Sequence, residues 1–137
     1  MWWIYALLSA LFAALTAVFA KIGVKDVNSD LATAIRTVVI LIIAWGIVLF
    51  RGETKGVSVL SKHSIIFLVL SGIATGLSWI FYFKALQIGK VSQVAPVDKL
   101  SVALAILLSI IFLGETPDWK TLVGAALIIC GTFVLIL

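Results

Sequence analysis

The chain has 137 residues, of which 64% are hydrophobic and 12% are charged, with ten Lys or Arg against six Asp or Glu. A soluble domain of this length cannot bury so much apolar surface, because small folds have too little interior. The composition therefore excludes an ordinary soluble enzyme, a disordered chain and a disulfide-rich secreted scaffold. The basic excess is typical of residues that flank membrane spans rather than of a nucleic-acid-binding protein.

Five apolar segments follow one another along the chain, each long enough to cross the hydrocarbon core of a bilayer as a helix. They are continuous apolar runs rather than alternating ones, so helices are favoured over a β-barrel. We predict transmembrane helices at residues 2–22, 31–50, 64–86, 94–113 and 119–137. The expected fold class is an all-α membrane protein in which residues 1–137 form a single domain.

Short polar connections separate the predicted helices. Asn28 and the two polar residues after it offer N-caps for the second helix. Gly114 offers a C-cap for the fourth helix, and Pro117 cannot continue that helix. These signals predict sharp helix boundaries at both connections.

Positive charge is balanced across the predicted membrane. The first and third connections share one side and carry four Lys, and the other two carry four Lys or Arg on the opposite side. Counting Arg36 and Lys99, which lie within spans near the first side, gives six against four. The positive-inside rule then gives little orientation preference. Two copies in opposite orientations would form the inverted pair that many transporters obtain from internal repeats, although one orientation fixed by other factors stays open.

Ionisable residues within spans are the first candidates for function, because a charge inside a bilayer is costly. Asp98 and Lys99 follow Pro96 at the start of the fourth helix, where the carboxylate meets the positive end of the helix. Arg36 lies in the second helix, and all three charges are about one turn inside their spans. The alternatives are snorkelling to the interface, or a structural ion pair of Arg36 with Asp98 or Asp30.

Hydroxyl groups occupy one face of the third helix. The stripe consists of Ser71, Thr75, Ser78 and Tyr82. It can line a polar cavity with Trp79 and Tyr82 as aromatic contacts, or its Ser and Thr side chains can bond their own helix. The candidates for substrate binding or coupling are therefore Asp98, Lys99, Arg36, Tyr82, Trp79, Ser78, Thr75 and Ser101.

The sequence contains no set of residues that predicts an enzyme. It lacks a nucleophile–His arrangement, paired carboxylates deep in a span, and a glycine loop for phosphate. His63 has no second ligand at metal-binding spacing, and Cys130 is the single cysteine. We therefore expect no catalytic residue, no metal and no cofactor.

Several short motifs resemble the EamA-type domain of the drug/metabolite transporter superfamily. They are Tyr-Phe-Lys-Ala-Leu-Gln-Ile-Gly at 82–89, Val-Ala-Pro at 94–96, Phe-Leu-Gly-Glu at 112–115, and Gly-Ala-Ala-Leu-Ile at 124–128 followed by Gly131. Typical members of the superfamily carry two inverted five-helix domains in tandem. This chain has one, and its Pro-Val-Asp-Lys-Leu-Ser at 96–101 resembles the single-domain bacterial and archaeal branch.

The resemblance implies a secondary transporter of the plasma membrane, a metabolite or drug exporter or exchanger that works by alternating access. One chain would be half of an inverted-repeat transporter, completed by a second copy in a homodimer whose two copies lie antiparallel in the membrane. Asp98 is then the expected coupling or cation-binding group, and Lys99 and Arg36 are expected to engage anionic solutes. The expected partners are a small-molecule substrate, membrane lipid and a second copy, and no nucleic acid. The alternatives are a lipid-carrier flippase component and a non-transporting membrane subunit.

Overall fold

The computed structural model describes all 137 residues and contains helices but no strand. The α-helices are α1 (Trp2–Gly23), α2 (Ser29–Phe50), α3 (Lys62–Ile88), α4 (Val91–Asp98), α5 (Leu100–Leu108) and α6 (Trp119–Ile136). A 3₁₀ helix occupies Glu53–Val59, and a π-helical turn occupies Ser109–Leu113. Five spans are long and apolar enough to cross a membrane, because α4, α5 and the π-helical turn together form the fourth span, Val91–Leu113. The predicted all-α membrane fold with five spans is confirmed.

Capping hydrogen bonds explain where the helices begin and end. Asn28 Oδ1 accepts a hydrogen bond from the backbone N–H of Asp30 at 2.8 Å, as the sequence predicts. Asp118 Oδ1 accepts one from the backbone N–H of Thr121 at 2.9 Å, which fixes the start of α6. Gly114 follows the π-helical turn with a φ of 66°, a left-handed conformation that favours glycine.

The fourth span is broken in the region of Pro96. Helix α4 ends at Asp98 and α5 begins two residues later, with Lys99 between them. Proline has no N–H, so the carbonyl of Ser92 loses its helical partner one turn before Pro96. At Lys99 the bonding pattern tightens, because its N–H is shared between the carbonyls of Ala95 at 3.3 Å and Pro96 at 3.0 Å. The N–H of Val102 bonds the carbonyl of Lys99 at 3.0 Å. Since the span begins at Val91 rather than at residue 94, Asp98 lies about 10 Å along it, two turns inside rather than one.

By its internal contacts the chain divides into two compact units, Met1–Val18 with Ile88–Leu137, and Phe19–Gln87. In the first unit, α6 packs against both α4 and α5. The hydroxyl of the buried Thr132 lies 2.8 Å from the carbonyl of Ile128 in its own helix and 3.2 Å from the carbonyl of Pro96, so it is shared between the two acceptors. The bond to Pro96 joins α6 to the backbone just before the break in the fourth span.

In the second unit, the end of α1, the start of α2 and the end of α3 meet. The buried residues of this unit lie at these helix ends: Ala20, Val24, Ser29, Thr33, Phe83 and Leu86. Phe83 and Leu86 belong to the 82–89 motif, so the motif that carries the family resemblance supplies much of this small core. The remainder of each helix is apolar and exposed, as expected for surface that faces lipid.

Two long polar side chains fasten the same helix ends. Gln87 Nε2 donates to the carbonyl of Val24 at 3.1 Å and to the carbonyl of Val27 at 2.9 Å. Lys21 Nζ donates to the carbonyl of Leu86 at 2.6 Å. The last carbonyls of a helix have no partner within the helix, so these bonds act as reciprocal C-caps between α1 and α3. They hold the end of α3 beside the connection that leads into α2.

Candidate functional site

Arg36 is held against two aromatic rings of α3. Its guanidinium carbon lies 4.4 Å from the ring centroid of Phe83 and 5.1 Å from that of Trp79. Trp79 and Phe83 are four residues apart and therefore share one face of the helix. A cation is attracted to the negative face of an aromatic ring, most strongly where water is scarce. We call these three residues the arginine cluster.

The positive charge of the arginine cluster has no carboxylate beside it. The structural ion pair with Asp30 that the sequence allowed is not formed, because the Arg36 side chain lies on the rings instead. Its Nη1 atom is enclosed and has no hydrogen-bond partner. A buried N–H donor without a partner is unusual in native proteins and calls for an explanation.

Asp98 and Lys99 form an ion pair with each other at the break in the fourth span. Lys99 Nζ lies 3.4 Å from Asp98 Oδ2, and the two side chains are 55% and 35% exposed. Adjacent residues of a regular helix point about 100° apart, so regular geometry alone does not bring them together. The long side chain of Lys99, which lies between α4 and α5, reaches back to the neighbouring carboxylate. Ser101, the third candidate of this span, is exposed just beyond the break.

The hydroxyl stripe of α3 is partly engaged within its own helix. Thr75 Oγ1 donates to the carbonyl of Ser71 at 2.9 Å, the local bond that the sequence allowed as an alternative. Ser78 is exposed, and the half-buried Tyr82 ring stands edge-on to Phe83 at 6.1 Å between centroids. Of the candidates on α3, the structure brings Trp79 to Arg36. The roles of Thr75, Ser78 and Tyr82 in binding stay predictions.

Sequence reasoning did not single out Phe83, Gln87 or Thr132. Phe83 carries a detectable signal, because it follows Trp79 by four residues and extends the same aromatic face. Gln87 carries a weaker one, as a polar residue in the last turn of an apolar helix. Thr132 carries none, because a lone threonine in an apolar span usually bonds its own helix.

An open cavity of about 460 Å³ lies in the first unit, next to the connection before α6. Its lining consists of Ile106, Ser109, Glu115, Thr116, Pro117, Asp118 and Thr121. The hydroxyl and the backbone N–H of Thr121 bond the carboxylate of Asp118 and hold its pKa below the usual range. Asp118 is fully exposed and caps α6, so its charge serves the helix rather than a buried site.

Comparison with known protein families gives a match to the EamA-like transporter family over residues 1–137. The chain belongs to the EamA-like transporter family. It is 48% identical over 134 residues to a Sinorhizobium protein named "Uncharacterized transporter in cobO 3'region", with 98% of this chain and 95% of that protein covered. It is 29% identical over 132 residues to an uncharacterized protein of Methanocaldococcus jannaschii, with 96% of this chain and 93% of that protein covered. No solved structure matches the chain.

Family membership agrees with the five apolar spans and confirms the resemblance read from the sequence motifs. This EamA-family chain is an integral membrane protein and a transporter, and the family implies a small-molecule substrate. The position of its charged residues inside the spans is the starting point for assigning a mechanism.

Proposed function

We propose that this EamA-family chain is a secondary transporter of small metabolites in the plasma membrane. It works by alternating access, as a homodimer of two oppositely oriented copies. The observation that carries the proposal is the broken fourth span, which holds the Asp98–Lys99 pair inside the membrane.

The depth of the pair is what sets it apart from an ordinary interfacial charge. The fourth span has 23 residues, so its middle lies about 17 Å from either end, and Asp98 is about 10 Å along it. A charge facing lipid costs about 2.5–3.5 kcal/mol at the centre of a span on insertion scales, and less towards its ends. Broken helices in transporters place ion and substrate sites near the middle of the bilayer. Asp98 is thus suited to couple transport to a cation, and Lys99 is suited to meet an anionic solute.

Two features support assembly with a second copy. The chain contains one five-span unit of a family architecture that elsewhere pairs two inverted ones, and its basic residues are balanced across the membrane. Gly124 and Gly131 share one face of α6, and an added Cβ at either would meet no atom within 4 Å. Small residues that are open in this way let another helix approach closely.

The test is solute accumulation by purified protein reconstituted into liposomes, with a panel of radiolabelled metabolites and an imposed proton gradient. We expect at least one solute to accumulate with the native chain. Asp98→Asn keeps the size of the side chain but removes its proton site, so accumulation should fall to the level of protein-free vesicles. Asp26→Asn, in the exposed first connection, is the matched control and should retain the native rate.

Two outcomes would contradict the proposal. If no solute moves but a fluorescent polyprenyl-phosphate lipid changes leaflet, the chain is a flippase component. If neither moves, it is a non-transporting subunit. Equal accumulation by Asp98→Asn and native protein over a range of pH would remove Asp98 from the coupling step.

A further inference from the structure

The arginine cluster holds a guanidinium inside the membrane rather than at its edge. Arg36 lies seven residues after Ser29, about 10 Å along α2. Phe83 and Trp79 lie five and nine residues before the end of α3 at Ile88, about 8 and 14 Å along it. Gln87 bonds the carbonyl of Val27, two residues before α2, so the two helix ends lie close together. The guanidinium, in contact with both rings, therefore lies about as far from these ends as the Arg36 Cα does.

This position does not fit snorkelling. A snorkelling arginine extends its side chain towards the interface, where water and lipid headgroups solvate the charge. The Arg36 guanidinium instead packs against two rings of α3, one nearer to the end of that helix than Arg36 is and one further from it. The nearer ring is that of the buried Phe83. The aromatic contacts fix the guanidinium without consuming its N–H groups, since a ring face attracts the charge and accepts no conventional hydrogen bond.

The Nη1 group of Arg36 is consequently the unsatisfied donor of the arginine cluster. It is enclosed and has no hydrogen-bond partner, and Asp98 is paired with Lys99. A guanidinium offers donors in a rigid planar fork whose spacing matches two oxygens of one carboxylate or phosphate. Arg36 as a whole is half-buried, so an oxyanion can approach the guanidinium from its open side. The oxyanion would supply the missing negative charge and, once Nη1 turns towards it, the missing hydrogen bond.

We infer that Arg36, held by Trp79 and Phe83, binds an oxyanion of the transported solute, a carboxylate or a phosphate group. The substrate class is then a small organic anion. This inference rests on the proposed transport function, which supplies the solute. The same chemistry is present in the phosphate of an anionic lipid, and the experiment must separate the two sources.

The experiment uses the native chain, whose two arginines are Arg36 and Arg51. Purified protein in a non-ionic detergent is treated with phenylglyoxal, which modifies arginine, and the rate at each site is measured by peptide mass spectrometry. Sodium acetate and inorganic phosphate are added as probes against sodium chloride of equal ionic strength. We expect the rate at Arg36 to fall by the factor 1 + [anion]/Kd, and the rate at the exposed Arg51 to stay unchanged.

Variants then test the geometry of the fork. Arg36→Lys keeps the charge and loses the planar donors, so the anion-dependent rise in Tm seen with native protein should disappear. Arg51→Lys is the matched control and should keep it. If Arg36→Lys does not fold, the protection measured on the native chain still decides the question.

Three results would overturn the inference. Equal protection of both arginines indicates ionic screening alone, and no protection of Arg36 indicates that the cluster is purely structural. Protection by short-chain phosphatidylglycerol but not by acetate or phosphate assigns the site to lipid.

The failure of the proposed function would look different. Protection of Arg36 in a chain that transports nothing would refute the transport function and leave the anion site in place, so the two failures are distinguishable.

Discussion

Replacing Gln87 with Met tests whether the helix ends of the second unit are held by hydrogen bonds. Gln87→Met keeps the length, volume and helix propensity of the side chain and removes both of its bonds, to Val24 and Val27. A hydrogen bond contributes about 0.5–1.5 kcal/mol net, and the Val24 carbonyl is the better shielded of the two. We expect a loss of about 1–2 kcal/mol in the free energy of unfolding. With the unfolding entropy typical of 137 residues, this lowers Tm by about 5 °C.

The assay is thermal unfolding in detergent, followed by circular dichroism, with limited trypsin digestion as a local readout. Gln93→Met is the matched control, because Gln93 is exposed in α4 and its side chain makes no hydrogen bond. Trypsin should cut after Lys25, in the connection that Gln87 fastens, faster in Gln87→Met than in the control. Equal Tm and equal cleavage for the two variants would refute the reasoning.

Three further perturbations test other parts of the fold. Asp118→Asn should lower Tm at neutral pH, and the Tm values of variant and native protein should converge in acid. The reason is that the pKa of Asp118 is lower in the folded protein than in the unfolded chain, so its charge stabilises the fold above the unfolded pKa and this stabilisation is lost as the pH falls through the folded pKa. Thr132→Val removes a hydroxyl shared between the carbonyls of Ile128 and Pro96 and should cost about 1 kcal/mol, whereas Thr37→Val, which loses only a bond within its own helix, should cost less; chemical denaturation measures both. Pro96→Ala restores an N–H that can bond the carbonyl of Ser92 and should stiffen α4 before the break, raising Tm and slowing liposome transport; unchanged values of both would argue against the proline as a functional element.

The five spans and their caps could be predicted because the solvent for most of the chain is lipid. In lipid every backbone group must bond within its own segment, so a long apolar run is sufficient to define a helix. The start of the fourth span was harder to predict from the sequence. Val91 and the two polar residues after it suggest a connection, yet a helix can continue through polar residues at the interface.

The partners of the charged residues could not be predicted from the sequence. Most positions around α2 and α3 are apolar, and the hydroxyl stripe of α3 does not indicate which face meets Arg36. Arg36 could therefore have been placed beside Asp30 as reasonably as beside Trp79. The pairing of Asp98 with Lys99 was not predictable either, because adjacent residues of a helix point about 100° apart.

The central claim, transport by two oppositely oriented copies, is tested most directly by labelling one loop from outside the cell. In a Cys130→Ser background, Ser58→Cys places a single thiol in the exposed 3₁₀ helix. An impermeant maleimide added to intact cells should label about half of the protein that is labelled after permeabilisation, since balanced charges set no orientation. Asp26→Cys, on the opposite side, should give the same fraction. Complete labelling at one position and none at the other would establish a single orientation and contradict the account.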